Sequence, residues 1–285
     1  MIIDVLKDGF KTVKEHKWAI LGMWMPAFIV GVIANCFSNN NAITAAISNL
    51  SIDPVTALNT LQSSFALMLI FSILTSLFSV SLKMGLLKSD QDGNFNFKNA
   101  FVAFDGMTWV GVIVIDFLAA LIEAVLIVLF AVVALLFFFA GVNQQNSFFF
   151  AIAALVALIG IAVFIYVSLG LAFIFLTYYT DTKDTDLNNG FIKSFPETWK
   201  LMKGHRYELL GLIVLQFLIS FGVFLAFLVV VVIVAVLFSL MHGSIIAISL
   251  ATILGILIFI AAIVAIVFLD LWFLMSQIKF FERLK

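Results

Sequence analysis

Charged side chains inside apolar stretches are the residues of this sequence with most capacity for chemistry. Each costs at least a few kcal/mol in hydrocarbon unless it is paired or hydrated. Asp116 and Glu123 stand seven residues apart in one such stretch, so a helix would put them on one face, about 10 Å apart along its axis. Small Ala119, Ala120 and Ala124 lie near that face and suit close packing toward a bundle interior. Asp270 stands near the end of the last apolar stretch, and Lys83 is the base expected at comparable depth. An ion pair of Lys83 with Asp116 or Asp270 is geometrically allowed. So is the alternative, in which Lys83 snorkels and the aspartates are wetted from the cytoplasmic side. Glu123, expected near mid-membrane, must choose between protonation, a polar partner and water. It could serve a proton or cation relay, or be a hydrogen-bonded structural acid.

Enzyme signatures do not accompany these groups. The sequence has no HExxH, GxSxG, Walker lysine loop or CxxC, and its single cysteine, Cys36, excludes an internal disulfide. Cys36 reads as an ordinary residue near the outer end of the first span. The Asn35 before it is too large for a lipidation signal. His16 and His205 sit beside basic residues at the interface, and His242 in a tight outer turn. The aspartates of 181–186 lack the glycine and terminal glutamate of a calcium loop and read as a solvated connection. No metal or cofactor is expected.

The elements that must position these groups are membrane spans. Of 285 residues 64% are hydrophobic and 11% charged, against roughly 25% charged in soluble domains. Six stretches reach or exceed the ~20 residues that cross a bilayer core: 18–37, 63–87, 109–140, 148–179, 207–241 and 245–275. Segments such as 221–240 are apolar on nearly every face, which excludes the alternation of a β-barrel. The expected fold is therefore all-α, a polytopic membrane bundle of six helices arranged as three hairpins in one domain. Several stretches are long enough to tilt or to project beyond the membrane.

The fifteen basic residues fall before the first span, around the second and fourth connections and after the last span; the alternate connections carry none. By the positive-inside rule both termini are expected in the cytoplasm. Nucleic-acid binding is not suggested.

A weak three-fold repeat starts near residues 1, 92 and 187. Leu6-Lys7-Asp8-Gly9-Phe10 aligns with Phe97-Lys98-Asn99-Ala100-Phe101, and the run from Lys14 to Gly22 with that from Lys203 to Gly211. Each unit would be an amphipathic entry helix, a span going out and a span coming back. The entry stripes are Ile3, Leu6, Phe10 and Val13; then Phe97, Phe101 and Phe104; then Leu187, Phe191, Phe195, Trp199 and Met202. Such helices lie in the headgroup region. Trp18, Trp109, Trp199 and Tyr207 suit that interface; Lys203, His205, Arg206 and the lysines suit anionic lipid. The same surface could dock a soluble partner. Pro26, Gly160, Gly170 and Gly222 could allow kinks or close helix contact, and the triplets 137–139 and 148–150 should form an aromatic cluster at the outer boundary.

The run from Ser194 to Leu209, with Trp199-Lys200-Leu201-Met202-Lys203-Gly204-His205-Arg206-Tyr207-Glu208 at its heart, resembles the signature before the penultimate span in a family of bacterial integral membrane proteins. The family is catalogued as domain of unknown function 975. The upstream run Phe173 to Tyr179, followed by an acidic loop, fits the same pattern. Pro196 and the Phe-rich central hairpin depart from it. The resemblance implies a six-span bundle in a bacterial cytoplasmic membrane and no established reaction. The expected function is non-enzymatic support of envelope or stress physiology, through lipid contact or as the membrane partner of a complex. The alternative is a transporter, either a secondary carrier using the intramembrane carboxylates or the membrane subunit of an ATP-driven system.

Overall fold

The computed structural model describes residues 1–37, 53–182, 190–240 and 245–285. The expected first outer connection as far as residue 52, Asp184 and Asp186 of the acidic loop, Leu187 and His242 lie outside the described residues. The described chain is all-α. Its helices are α1 (Ile2–Phe37), α2 (Pro54–Asp92), a 3-10 helix (Phe97–Phe104), α3 (Thr108–Gln144), α4 (Ser147–Leu171), α5 (Ile174–Thr182), α6 (Gly190–Leu201), α7 (Arg206–Leu240) and α8 (Ile245–Leu284). Six helical stretches are long and apolar enough to cross a membrane, with α4 and α5 together making one of them. The chain forms two compact units, Met1–Lys17 with Tyr207–Arg283, and Trp18–Arg206 with the last two residues.

Helix ends follow from local chemistry. Asp53 accepts a hydrogen bond from the Thr56 amide at 3.2 Å and caps α2, with proline at its start. The Thr56 side chain and backbone hold the Asp53 carboxyl below the usual carboxylate range. Gly93 closes α2 in the left-handed region at φ 65°. Asn146 caps α4 by accepting from the Phe148 amide at 3.0 Å, which fixes the short turn between α3 and α4. The expected first entry helix and first span are one element, α1, broken at His16, where φ is −113° and ψ 23°.

In the first unit, the segment before His16 is seated on the last third of α8. Trp272 Nε1 donates to the Leu6 carbonyl at 2.8 Å, and Phe10 meets Phe268 and Trp272 edge-on at 5.6 and 5.5 Å. Gly9 makes this possible, since a Cβ there would lie 2.9 Å from the Ser276 amide nitrogen. Gln216 of α7 donates to the Phe273 carbonyl at 3.2 Å and so ties the two spans together. Burial is one-ended. Leu209 and Leu212 open α7, and Leu271, Met275, Ile278, Phe280 and Phe281 close α8, as buried residues; from Phe221 to Ile233 no side chain of α7 is buried.

In the second unit, the 3-10 helix lies against α2. Ala103 donates its amide to Ser81 Oγ at 3.0 Å, Asn99 Nδ2 donates to Ser89 Oγ at 2.9 Å, and Gly85 receives the Asn99 carbonyl against its bare Cα. The spacing of the aromatic stripe predicts an α-helix for this entry segment. The observed 3-10 helix instead buries Ala100, Val102 and Ala103 and turns Phe97, Phe101 and Phe104 outward. Helices α3 and α4 form an antiparallel hairpin, with Gly160 packed on Phe130 and Gly141 on Phe149 and Phe150. The third entry helix, α6, buries Gly190, Ser194 and Thr198, an i, i+4 ridge of small residues. Here too the core gathers at the basic end, in α2 from Leu77 to Ser89, in α3 at Gly111, Val112 and Ile115, and from Phe173 to Tyr179.

Candidate functional site

The intramembrane carboxylates separate. Ser168 Oγ of α4 donates to Glu123 Oε1 of α3 at 3.0 Å, so Glu123 faces its hairpin partner and has a polar contact. Ser168 is two residues from Tyr166, so Glu123 lies within about 3 Å, along the axis of α4, of the level reached by the Trp199–Arg206 turn described below. That is the level at which the third entry segment meets α4. Helix α3 is 37 residues long, and the 21 residues beyond Glu123 rise about 31 Å, enough to cross a hydrocarbon core unaided. Asp116, half-buried, carries no hydrogen bond or ion pair among the described residues, so the allowed pair with half-buried Lys83 is not formed. Asp270 belongs to the other unit. It lines a cleft of about 650 Å³ between α7 and α8 with Ser220, Phe224, Phe227, Leu269 and Phe273.

Glu123→Gln retains an acceptor for Ser168 and is expected to leave the thermal midpoint in detergent within about 2 °C of the parent. A larger loss would show that the fold needs the charge itself.

The residue that departs furthest from expectation is Arg206. Instead of reaching outward as an anchor, it is 5% exposed at the first position of α7. A tight turn, with amide bonds from Lys203 to the Lys200 carbonyl at 3.1 Å and from His205 to Met202 at 3.2 Å, joins it to the end of α6. Gly204 sits in this turn at φ 93°, a conformation that side chains disfavour. The turn brings Arg206 back beside Trp199, with its guanidinium carbon 3.8 Å from that ring and 4.1 Å from the ring of Tyr166 on α4. The two rings stand nearly perpendicular, 5.9 Å apart, and form a corner around the cation. Gly170, one turn beyond Tyr166, leaves room for Trp199; a Cβ there would lie 2.7 Å from its Cε3.

The electrostatics of this corner are incomplete. Arg206 makes no hydrogen bond or ion pair among the described residues, and its Nε is fully buried without a partner. Two cation–π contacts supply about 1–2 kcal/mol each when desolvated. Removing an unpaired charge from water costs several kcal/mol. A cation at a helix start also meets the positive end of the helix dipole. Aromatic contact therefore holds the guanidinium in place without compensating its charge, and an anion here would meet both the guanidinium and the dipole favourably.

The remaining expected anchors are accessible. Trp18, Trp109, Trp199 and Tyr207 are exposed, Lys203 is exposed and His205 half-buried. Sequence reasoning missed the corner because Tyr166 and Gly170 lie inside an apolar run far from Trp199 in sequence. Their i, i+4 spacing, a polar-tipped aromatic followed by glycine, was the available signal. Among the described residues no group of three or more His, Cys, Asp or Glu is placed to hold a metal ion. In comparisons with protein-family models, curated proteins and solved structures, the chain matches none.

Proposed function

We propose that this multi-pass membrane protein resides in a bacterial cytoplasmic membrane with both termini inside, and that it acts without catalysis, by engaging membrane lipid or a membrane complex at its basic end. The positive-inside distribution supports the orientation. The resemblance of the run from Ser194 to Leu209 to domain of unknown function 975 suggests the setting; that run lies over the end of α6, the Gly204 turn and the start of α7. The observation that carries the functional reading is where the specific packing falls. Entry segments are seated on spans through Gly9, Gly85 and Trp272, and they leave Phe97, Phe101, Phe104 and Trp199 exposed beside exposed lysines. Aromatic rings with flanking bases are the surface that a headgroup layer recognises.

Phosphatidylglycerol titrated into the purified protein in mild detergent should raise its thermal midpoint by about 5 °C at a hundredfold excess over Kd. Phosphatidylcholine with the same chains should not. Equal responses to the two lipids would contradict the reading.

Asp270 in the wall of the α7–α8 cleft favours a second reading, a carrier or the membrane half of an ATP-driven system. The clefts of about 650, 360, 290 and 750 Å³ have neither Glu123 nor Asp116 in their walls. Proteoliposomes carrying an internal pH dye and given sodium or potassium pulses should respond as empty liposomes do. Proton flux abolished by Glu123→Gln or Asp270→Asn would establish the carrier instead.

A further inference from the structure

We propose that Arg206, held in the corner between Trp199 and Tyr166, is a binding site for the phosphate of an anionic phospholipid in the leaflet that adjoins the basic end. The inference deepens the lipid reading above and rests on it.

Three observations converge on a phosphate. Arg206 is 5% exposed and meets no carboxylate among the described residues, so an anion from outside the chain can answer its charge. Its orientation is set by two rings, which fixes a planar donor group before any ligand arrives. Nε is fully enclosed without a partner, and neither Nη1 nor Nη2 makes a hydrogen bond among the described residues. A fixed guanidinium whose Nη groups have no partner among the described residues is the donor fork that takes two oxygens of a phosphate side by side.

A lipid, rather than a free ion, follows from the surroundings. The corner is walled by Tyr166, 47% exposed, and Trp199, 38% exposed, so the approach runs past aromatic rings open to acyl chains. Tyr166 lies 19 residues from the start of α4, about 28 Å along the helix, which is close to the thickness of the hydrocarbon core. Arg206 is thus at headgroup level when the outer turn is at the opposite surface. Exposed Lys200 and Lys203 shortly precede it in sequence and would supply a diffuse attraction that raises local lipid concentration without orienting it. Glu197, on the same helix as Trp199, is exposed and makes no ion pair among the described residues.

The test uses the full-length protein, delipidated in mild detergent, exposed to equal phosphatidylglycerol and phosphatidylcholine and examined by native mass spectrometry. The wild type should retain phosphatidylglycerol over phosphatidylcholine by about tenfold, and Arg206→Gln should remove most of that preference. Arg206→Lys, which keeps the charge and loses the fork, should fall well below wild type, whereas the Lys200→Gln/Lys203→Gln double variant should lose no more than about twofold. Millimolar inorganic phosphate should leave the lipid bound. A phosphate adduct that displaces the lipid would overturn the lipid assignment. If wild type and folded Arg206→Gln retain phosphatidylglycerol equally, the site falls while the lipid reading stands. If the wild type shows no preference at all, both fall, and that result is decisive even should Arg206→Gln fail to fold.

Discussion

Gly85→Ala is expected to lower stability by at least about 3 kcal/mol, the upper range for overpacking, because the new methyl group meets backbone rather than a yielding side chain. A Cβ at Gly85 would overlap the Asn99 carbonyl. That carbonyl is held by its own helix and by the Asn99 Nδ2 bond to Ser89. Relief requires moving the whole 3-10 helix off α2, which also breaks the bond from Ala103 to Ser81. Gly93→Ala is the internal control. Gly93 has φ 65°, but a methyl group added there would meet nothing within 4 Å, so only conformational strain of about 1 kcal/mol applies. Size-exclusion profiles after a heat challenge should rank the proteins wild type, Gly93→Ala, Gly85→Ala. Wild-type behaviour of Gly85→Ala would show that the entry segment is not seated on α2.

The second large effect is expected where α3 meets the Phe173–Tyr179 run. Tyr178 is 1% exposed, and its ring end lies where a Cβ on Gly111 would be. Tyr178→Ala should cost about 3–5 kcal/mol through the cavity it leaves. Gly111→Ala should cost about 1–3 kcal/mol through overlap. Since both act on one contact, the double variant should be no less stable than Tyr178→Ala alone, and the thermodynamic cycle should show coupling above about 1 kcal/mol. Additive losses would place the two residues out of contact.

These two contacts also show what was legible in the sequence. The six spans follow from apolar length, because a bilayer leaves the backbone few alternatives, and the break at His16 falls close to the expected start of the first span at Trp18. The packing face of the entry segments is harder to read. The aromatic stripes draw attention, yet Ala100 and Ala103, Gly190, Ser194 and Thr198, and Gly9 make the close contacts, one or two positions away. Small residues leave little trace in a hydrophobic pattern, although they set how near two helices come. Glu123 reads as a mid-membrane acid because it stands in the middle of an apolar run. That Ser168 of α4 donates to it is a tertiary fact that the run itself does not carry. Arg206 shows the same limit. The basic cluster Lys200, Lys203, Arg206 looks uniform in sequence, and only the Gly204 turn singles out one member for burial.

Sidedness tests the central claim most directly, since the account needs the Arg206 corner to face the inner leaflet. With Cys36 replaced by serine, single cysteines at Gln144, Asp92 and Lys203, all exposed positions, would be probed with a membrane-impermeant maleimide on intact cells. The account predicts labelling at 144 from outside, and at 92 and 203 only after the membrane is opened. Labelling at 203 from outside, with 144 protected, would contradict it.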